Sequence, residues 1–142
     1  MPTSLDPRRS ARIVGANGRS VALSDPTPDG SGGWRYTVSV EFEAGRADVE
    51  VWDYGDPALP GLLRKAADNW RGFDAPIEFA SVEGQFELTL AHDRKGTIEC
   101  VATVRQPWPP AWATTIELSY GAGANADQVA SDFEAVFAST DR

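Results

Sequence analysis

A chain of 142 residues, 42% apolar and 24% charged, has the make-up of one globular domain. At that length folding removes about 70% of the extended-chain surface from water, so a core forms without metal or disulfide. Twenty-one acids against 13 bases give a net charge of −8, which argues against a nucleic-acid backbone as the main partner, because binding one takes clustered Lys and Arg.

Residues 1–10 carry Arg8 and Arg9 but no apolar run behind them, so neither a secretory nor a twin-arginine leader is expected. No stretch approaches 18 apolar residues. Cys100 is the only cysteine and has no internal partner, which places the chain in a reducing cytoplasm. Residues 1–11 are expected to be a flexible segment, 12–137 one domain and 138–142 a flexible tail. Residues 1–35 hold five arginines and three acids, or +2, whereas the rest holds eight bases and eighteen acids, or −10. The acidity therefore belongs to the body of the domain.

A first strand pair is expected over 12–15 and 20–23, turning at Asn17-Gly18, a dipeptide suited to positive φ. Residues 25–33, rich in Pro, Gly and Asp, read as a mobile connection. Trp34, Tyr36, Val38, Val40 and Phe42 then alternate with polar residues, which predicts a half-buried strand. The alternation resumes in Ala47, Val49 and Val51 after a turn at Ala44-Gly45, giving a hairpin. Asp56-Pro57 begins a helix as cap and first-turn proline, with Pro60 shifting its regular start to Leu59 or Pro60. Leu59, Leu62, Leu63, Ala66 and Trp70 form its stripe, and Gly72 ends it.

Ile77 and Phe79 form a short strand before a Glu83-Gly84 turn. Phe86, Leu88 and Leu90 form the next, and Asp93 to Gly96 reverses the chain. In the following strand Ile98, Cys100, Ala102 and Val104 share one face. Val101 lies opposite, which predicts a central strand partly covered on both sides. Three prolines around Trp108 interrupt the pattern, and Trp112, Thr114, Ile116, Leu118 and Tyr120 make the last strand. Asn125 and Gln128 resemble a capping box ahead of a helical stripe of Val129, Ala130, Phe133, Val136 and Phe137. The expected fold is α+β, a single domain with a mostly antiparallel sheet of about seven or eight strands and two helices packed on one face. The strand order does not follow from the sequence.

Little here carries chemistry. His92 is the only imidazole; Glu83 lies nine strand steps away, about 30 Å, and Asp93 is its sequence neighbour, on the opposite face of a strand. A hydrolase built on His92, the third reading, would need the turn beginning there to bring Asp93 to the imidazole as its orienting carboxylate. Cys100 sits in an apolar face and reads as core. The chain has no nucleophile elbow, P-loop or dinucleotide fingerprint, and Gly30-Ser31-Gly32-Gly33 precedes a strand, not a helix. Glu50, Asp53 and Asp56 are an acidic cluster without calcium-loop spacing, so neither a metal nor a cofactor is expected. Of five tryptophans, Trp34, Trp70 and Trp112 continue buried faces. Trp52 falls on the polar face of its strand and Trp108 in the proline-braced loop, and rigid aromatics of this kind anchor binding.

Trp70-Arg71-Gly72-Phe73-Asp74, then Phe79 to Leu88 with its Glu83-Gly84 turn, then Asp93, Gly96, Trp112 and a closing helix, resemble a family of small actinobacterial proteins, domain of unknown function 6228. The likeness covers about 12–137 and implies a fold and a bacterial source without catalytic residues. In layout the chain is also similar to small acidic immunity proteins of bacterial toxin systems, a fold-level analogy.

The leading expectation is a non-enzymatic protein-interaction module, with an immunity-type toxin inhibitor as its specific form, whose acidic surface meets a basic protein partner. The alternative is a small-molecule or carbohydrate binder using exposed tryptophans. The expected binding residues are Trp52, Asp53, Trp108 and Glu83. No nucleic acid or membrane partner is expected, and homodimerisation through a sheet edge is compatible with either reading.

Overall fold

The computed structural model describes residues 9–138. The elements run β1 (Ser10–Val14), β2 (Ser20–Pro28), β3 (Gly33–Phe42), β4 (Gly45–Tyr54), α1 (Ala58–Asp68), β5 (Ile77–Ala80), β6 (Phe86–His92), β7 (Thr97–Gln106), β8 (Trp112–Gly121) and α2 (Ala124–Ala138). The flexible segment expected over 1–11 lies outside the described residues as far as residue 8, and the tail does so from residue 139. Pairing already begins at Ser10, opposite Ser24.

The α+β class holds, with every strand pair antiparallel. The strands do not continue in one sheet, however. They form two four-stranded meanders, β1-β2-β3-β4 and β5-β6-β7-β8. Each meander follows from short turns, which pair a strand with its sequence neighbour, while α1 interrupts the run between β4 and β5. The alternation in each strand selects its inner face. Val21, Leu23, Val38, Val40, Val49 and Val51 line the first sheet, and Phe86, Leu88, Leu90, Ile98, Cys100, Ala102, Val104 and Ile116 line the second. These side chains and the stripes of both helices form a single buried cluster. Helix α2 packs on β1, β2 and β8, and α1 packs on α2 and β5. The sheets also meet where the β1–β2 turn reaches β8, the Ala16 N–H donating to the Ser119 carbonyl at 3.0 Å.

Several local expectations are corrected. The connection expected to be mobile is largely strand: β2 runs to Pro28 through a bulge between Ser24 and Thr27. Asp25 there has φ 54° and its N–H bonds the Arg9 carbonyl at 2.8 Å, so Pro26 withholds no ladder donor. The acid-and-proline composition encodes a bulge. Helix α1 starts after an extended Pro57 with no side-chain cap and stops at Asp68. The Asn69 N–H and Nδ2 both donate to the Lys65 carbonyl, at 3.1 and 2.8 Å, which closes the last turn one residue before Trp70. Trp70 is accordingly 50% exposed rather than core. Helix α2 begins at Ala124, so Asn125 is inside it and no capping box forms; Gln128 instead donates to Asp132 at 2.8 Å. Strand β7 is interior to its sheet, yet Val101 is exposed because both helices lie on the inner side.

Candidate interaction surface

The register sorts the four expected binding residues. Trp52 pairs with Arg35 on the outer face of the first sheet, half-buried. Asp53, one step on, turns inward opposite Trp34 and is only 8% exposed. Its Oδ2 accepts the Tyr36 hydroxyl. Burial raises the Asp53 carboxyl above its ordinary range, against the lowering pull of that bond, and burial first, then the Asp53 charge, drives the Tyr36 hydroxyl upward. Glu50 points to the opposite face and is exposed, and Asp56 lies past the end of β4 in the connection to α1, so the acidic trio does not converge. Among the described residues no three His, Cys, Asp or Glu side chains are placed to hold a metal.

Glu83 is exposed in the β5–β6 turn, where it accepts a 3.4 Å bond from Gln85 Nε2. Trp108 belongs to the β7–β8 loop. Both connections lie at the same end of the second sheet, tied by Arg105, whose N–H donates to the Gln85 carbonyl at 2.8 Å and whose Nη1 donates to the Gly84 carbonyl at 3.0 Å. The structure therefore brings Glu83 and Trp108 to one end and leaves Trp52 and Asp53 on another sheet.

Trp112, assigned to the core by its parity, joins Trp108 as a surface residue; they are 38% and 46% exposed. Its strand face is buried only from Ile116 onward, so parity persists past the edge of the covered area. The loop between the two indoles is stiff. Pro107, Pro109 and Pro110 fix φ, and the Gln106 amide donates to the carbonyls of Trp108 and Pro110 at 3.3 and 2.8 Å. Trp108 had a sequence signal in its prolines, whereas Trp112 had none.

The outer face of the second sheet adjoins this loop. It carries Glu78, Glu87, Glu99 and Glu117 around Thr89, Val101, Thr103 and Thr115, and its one base, Arg105, is held by Glu87 at 2.8 Å. On the first sheet Arg12, Arg35 and Arg46 balance Glu41, Asp48 and Glu50. Negative charge is thus concentrated on one of the two outer faces.

The groups that acid–base or thiol chemistry would use are engaged elsewhere. His92 Nδ1 accepts the Arg94 N–H at 2.8 Å, which leaves Nε2 to donate to the Trp70 carbonyl at 2.7 Å. Asp93 accepts the Lys95 and Thr97 N–H groups at 2.7 and 3.0 Å as a turn residue, and the Lys95 bond leads in lowering its pKa. Burial pushes the Cys100 thiol up to about 12. The amides of the glycine-rich loop already have an anion, since Asp29 Oδ1 accepts from Ser31 and Gly33 at 2.8 and 3.0 Å. No helix among the described residues is long and apolar enough to cross a membrane.

A family model covers residues 12–140, nearly the whole described fold. The chain belongs to the family of unknown function DUF6228. No curated protein and no solved structure matches it. Membership in DUF6228 therefore brings no assigned site, and the surface just described rests on this chain's own geometry.

Proposed function

We propose that the protein is a non-enzymatic interaction module that binds a basic protein partner. The observation that carries this is the pair of half-exposed indoles, Trp108 and Trp112, presented by a loop that three prolines and the Gln106 amide hold in place. A large aromatic that is already ordered loses little entropy on docking, which is why such residues dominate interface energetics. The carboxylate-rich outer face beside them sets the partner's sign and speeds encounter. The engagement of His92 and the burial of Cys100 support binding without turnover, and the buried free thiol supports a reducing, cytoplasmic setting. An inhibitor of the immunity type is the specific form of this reading, and it adds that the partner is an enzyme whose turnover stops in the complex.

Affinity capture from a lysate of the source cell, with wild type and the Trp108→Ala/Trp112→Ala variant at low and high salt, tests the reading. A basic protein retained by wild type at low salt, released as salt rises and lost from the equally folded variant is the expected outcome. Retention that ignores both indoles, or none at either salt, overturns it.

A further inference from the structure

Two strand edges from different sheets border one cleft. In an antiparallel ladder the backbone groups of successive residues point alternately toward and away from the partner strand. The Gly55 N–H donates to the Gly32 carbonyl at 2.9 Å, continuing the β3–β4 ladder, so Val51 and Asp53 address β3 while Trp52 and Tyr54 address the open side. The Ser81 N–H donates to the Phe86 carbonyl at 2.9 Å, so Ile77 and Phe79 address β6 while Glu78 and Ala80 address the open side. Strands β4 and β5 are each the last in their sheets. Among the described residues no backbone bond is made to the outward groups of Trp52, Tyr54, Glu78 or Ala80. Tyr54, Glu78 and Ala80 line a common cleft of about 290 Å³ with Asp53, Asp56, Leu62, Phe79 and Val82.

Exposed edges are normally guarded by charge. Strand β4 is guarded over its first part by Arg46, Asp48 and Glu50, but from Val51 on its outward side chains are Trp52 and Tyr54, the latter 72% exposed. The guard stops where the cleft begins. Its lining includes the exposed acids Asp56 and Glu78 and no base, the Asp53 carboxylate being turned inward to Tyr36, and neither Asp56 nor Glu78 is in an ion pair among the described residues.

We propose that this cleft is a strand slot, filled by an extended segment of a partner protein that pairs with the free edge of β4 or β5 and places a lysine or arginine between the carboxylates of Asp56 and Glu78. Unpaired amides and carbonyls in register supply the backbone bonds of strand addition, and the apolar lining of Leu62, Phe79 and Val82 receives the alternate side chain. A second copy of this chain fits less well, because its own β4 end brings a second set of the same carboxylates. The proposal deepens the preceding reading by naming how the basic partner is held, and rests on it for the partner's charge.

The probes are the octapeptides (Val-Lys)4 and (Val-Glu)4 and a (Val-Lys)4 N-methylated at alternate residues. Binding is read by fluorescence anisotropy, and amide protection by hydrogen exchange on the full chain. We expect (Val-Lys)4 to bind at least tenfold tighter than (Val-Glu)4 and to slow exchange at Trp52 and Tyr54 or at Glu78 and Ala80. N-methylation and Glu78→Lys should each weaken it at least tenfold. Trp108→Ala/Trp112→Ala should leave it unchanged, so this surface and the tryptophan loop fail separately. Equal binding of the two peptides, protection confined elsewhere, or slow exchange of all four amides in the free protein, as a slot filled by the chain itself or a second copy would give, overturns the proposal.

Discussion

Tyr36 and Asp53 show how a single polar pair is accommodated in an aromatic environment. The Tyr36 ring meets Phe137 edge-on at 5.8 Å, as does Trp34 at 5.1 Å, so the hydroxyl has the Asp53 carboxylate as its partner at the rim of the core. Because burial raises the folded carboxyl above its unfolded value, its contribution to stability is full below the unfolded carboxylate range. It is lost as pH rises through the folded pKa. Asp53→Asn keeps an acceptor for the hydroxyl and removes the buried charge, so stability at pH 7 should hold or rise. Asp53→Ala leaves the hydroxyl unbonded and should cost about 1–3 kcal/mol. Urea unfolding of wild type and both variants at pH 3 and pH 7, below and above the unfolded carboxylate range, checks the sign. A loss in Asp53→Asn as large as in Asp53→Ala would show that the charge itself is needed.

Among the elements, the junction of the two sheets is the most sharply determined. The β1–β2 turn rests on β8 through the Ala16 N–H and through Asn17 Nδ2, which donates to the Glu117 carbonyl at 3.1 Å. Gly15 makes this approach possible, since a Cβ there would lie 2.6 Å from Leu118 Cβ and 2.8 Å from Asn17 Oδ1. Gly15→Ala should therefore cost about 1–3 kcal/mol, as overpacking does, seen as a lower urea midpoint with an unchanged slope. A neutral outcome would mean that the turn lifts from β8 freely. The helices are joined by polar contacts, with Arg64 on α1 reaching Asp127, Ser131 and Glu134 on α2 at 2.5, 3.0 and 2.8 Å. No sequence pattern pointed to that network, because its spacing is set by how the two helices cross.

For the whole molecule, one core joins both sheets and both helices, so a probe at its centre reports global opening. Cys100 is that probe, with its thiol buried and pushed up to about 12. Labelling by an aromatic disulfide reagent at pH 8 should be limited by global unfolding, with the same rate constant as unfolding followed by tryptophan fluorescence. Stoichiometric labelling within mixing time under native conditions would show that the second sheet opens on its own. The separation of charge between the two outer faces also acts over the whole molecule, since it gives the molecule one acidic side, the side that the proposed basic partner would approach.

By itself the sequence determined the strands of both meanders, the inner side chains of each strand, the core role of Cys100 and the stripe of α2, because period-two and helical patterns are properties of one segment and its own backbone. It also placed Trp52 on an outer face and Trp108 in a braced loop. Tertiary structure alone decided that the strands divide into two sheets, that Trp70 and Trp112 reach solvent, that Asp25–Pro28 is a bulged strand, and that β4 and β5 face one cleft. Parity names a side of a strand, but whether that side is covered depends on elements distant in sequence, and nothing local in the chain encodes where their cover ends.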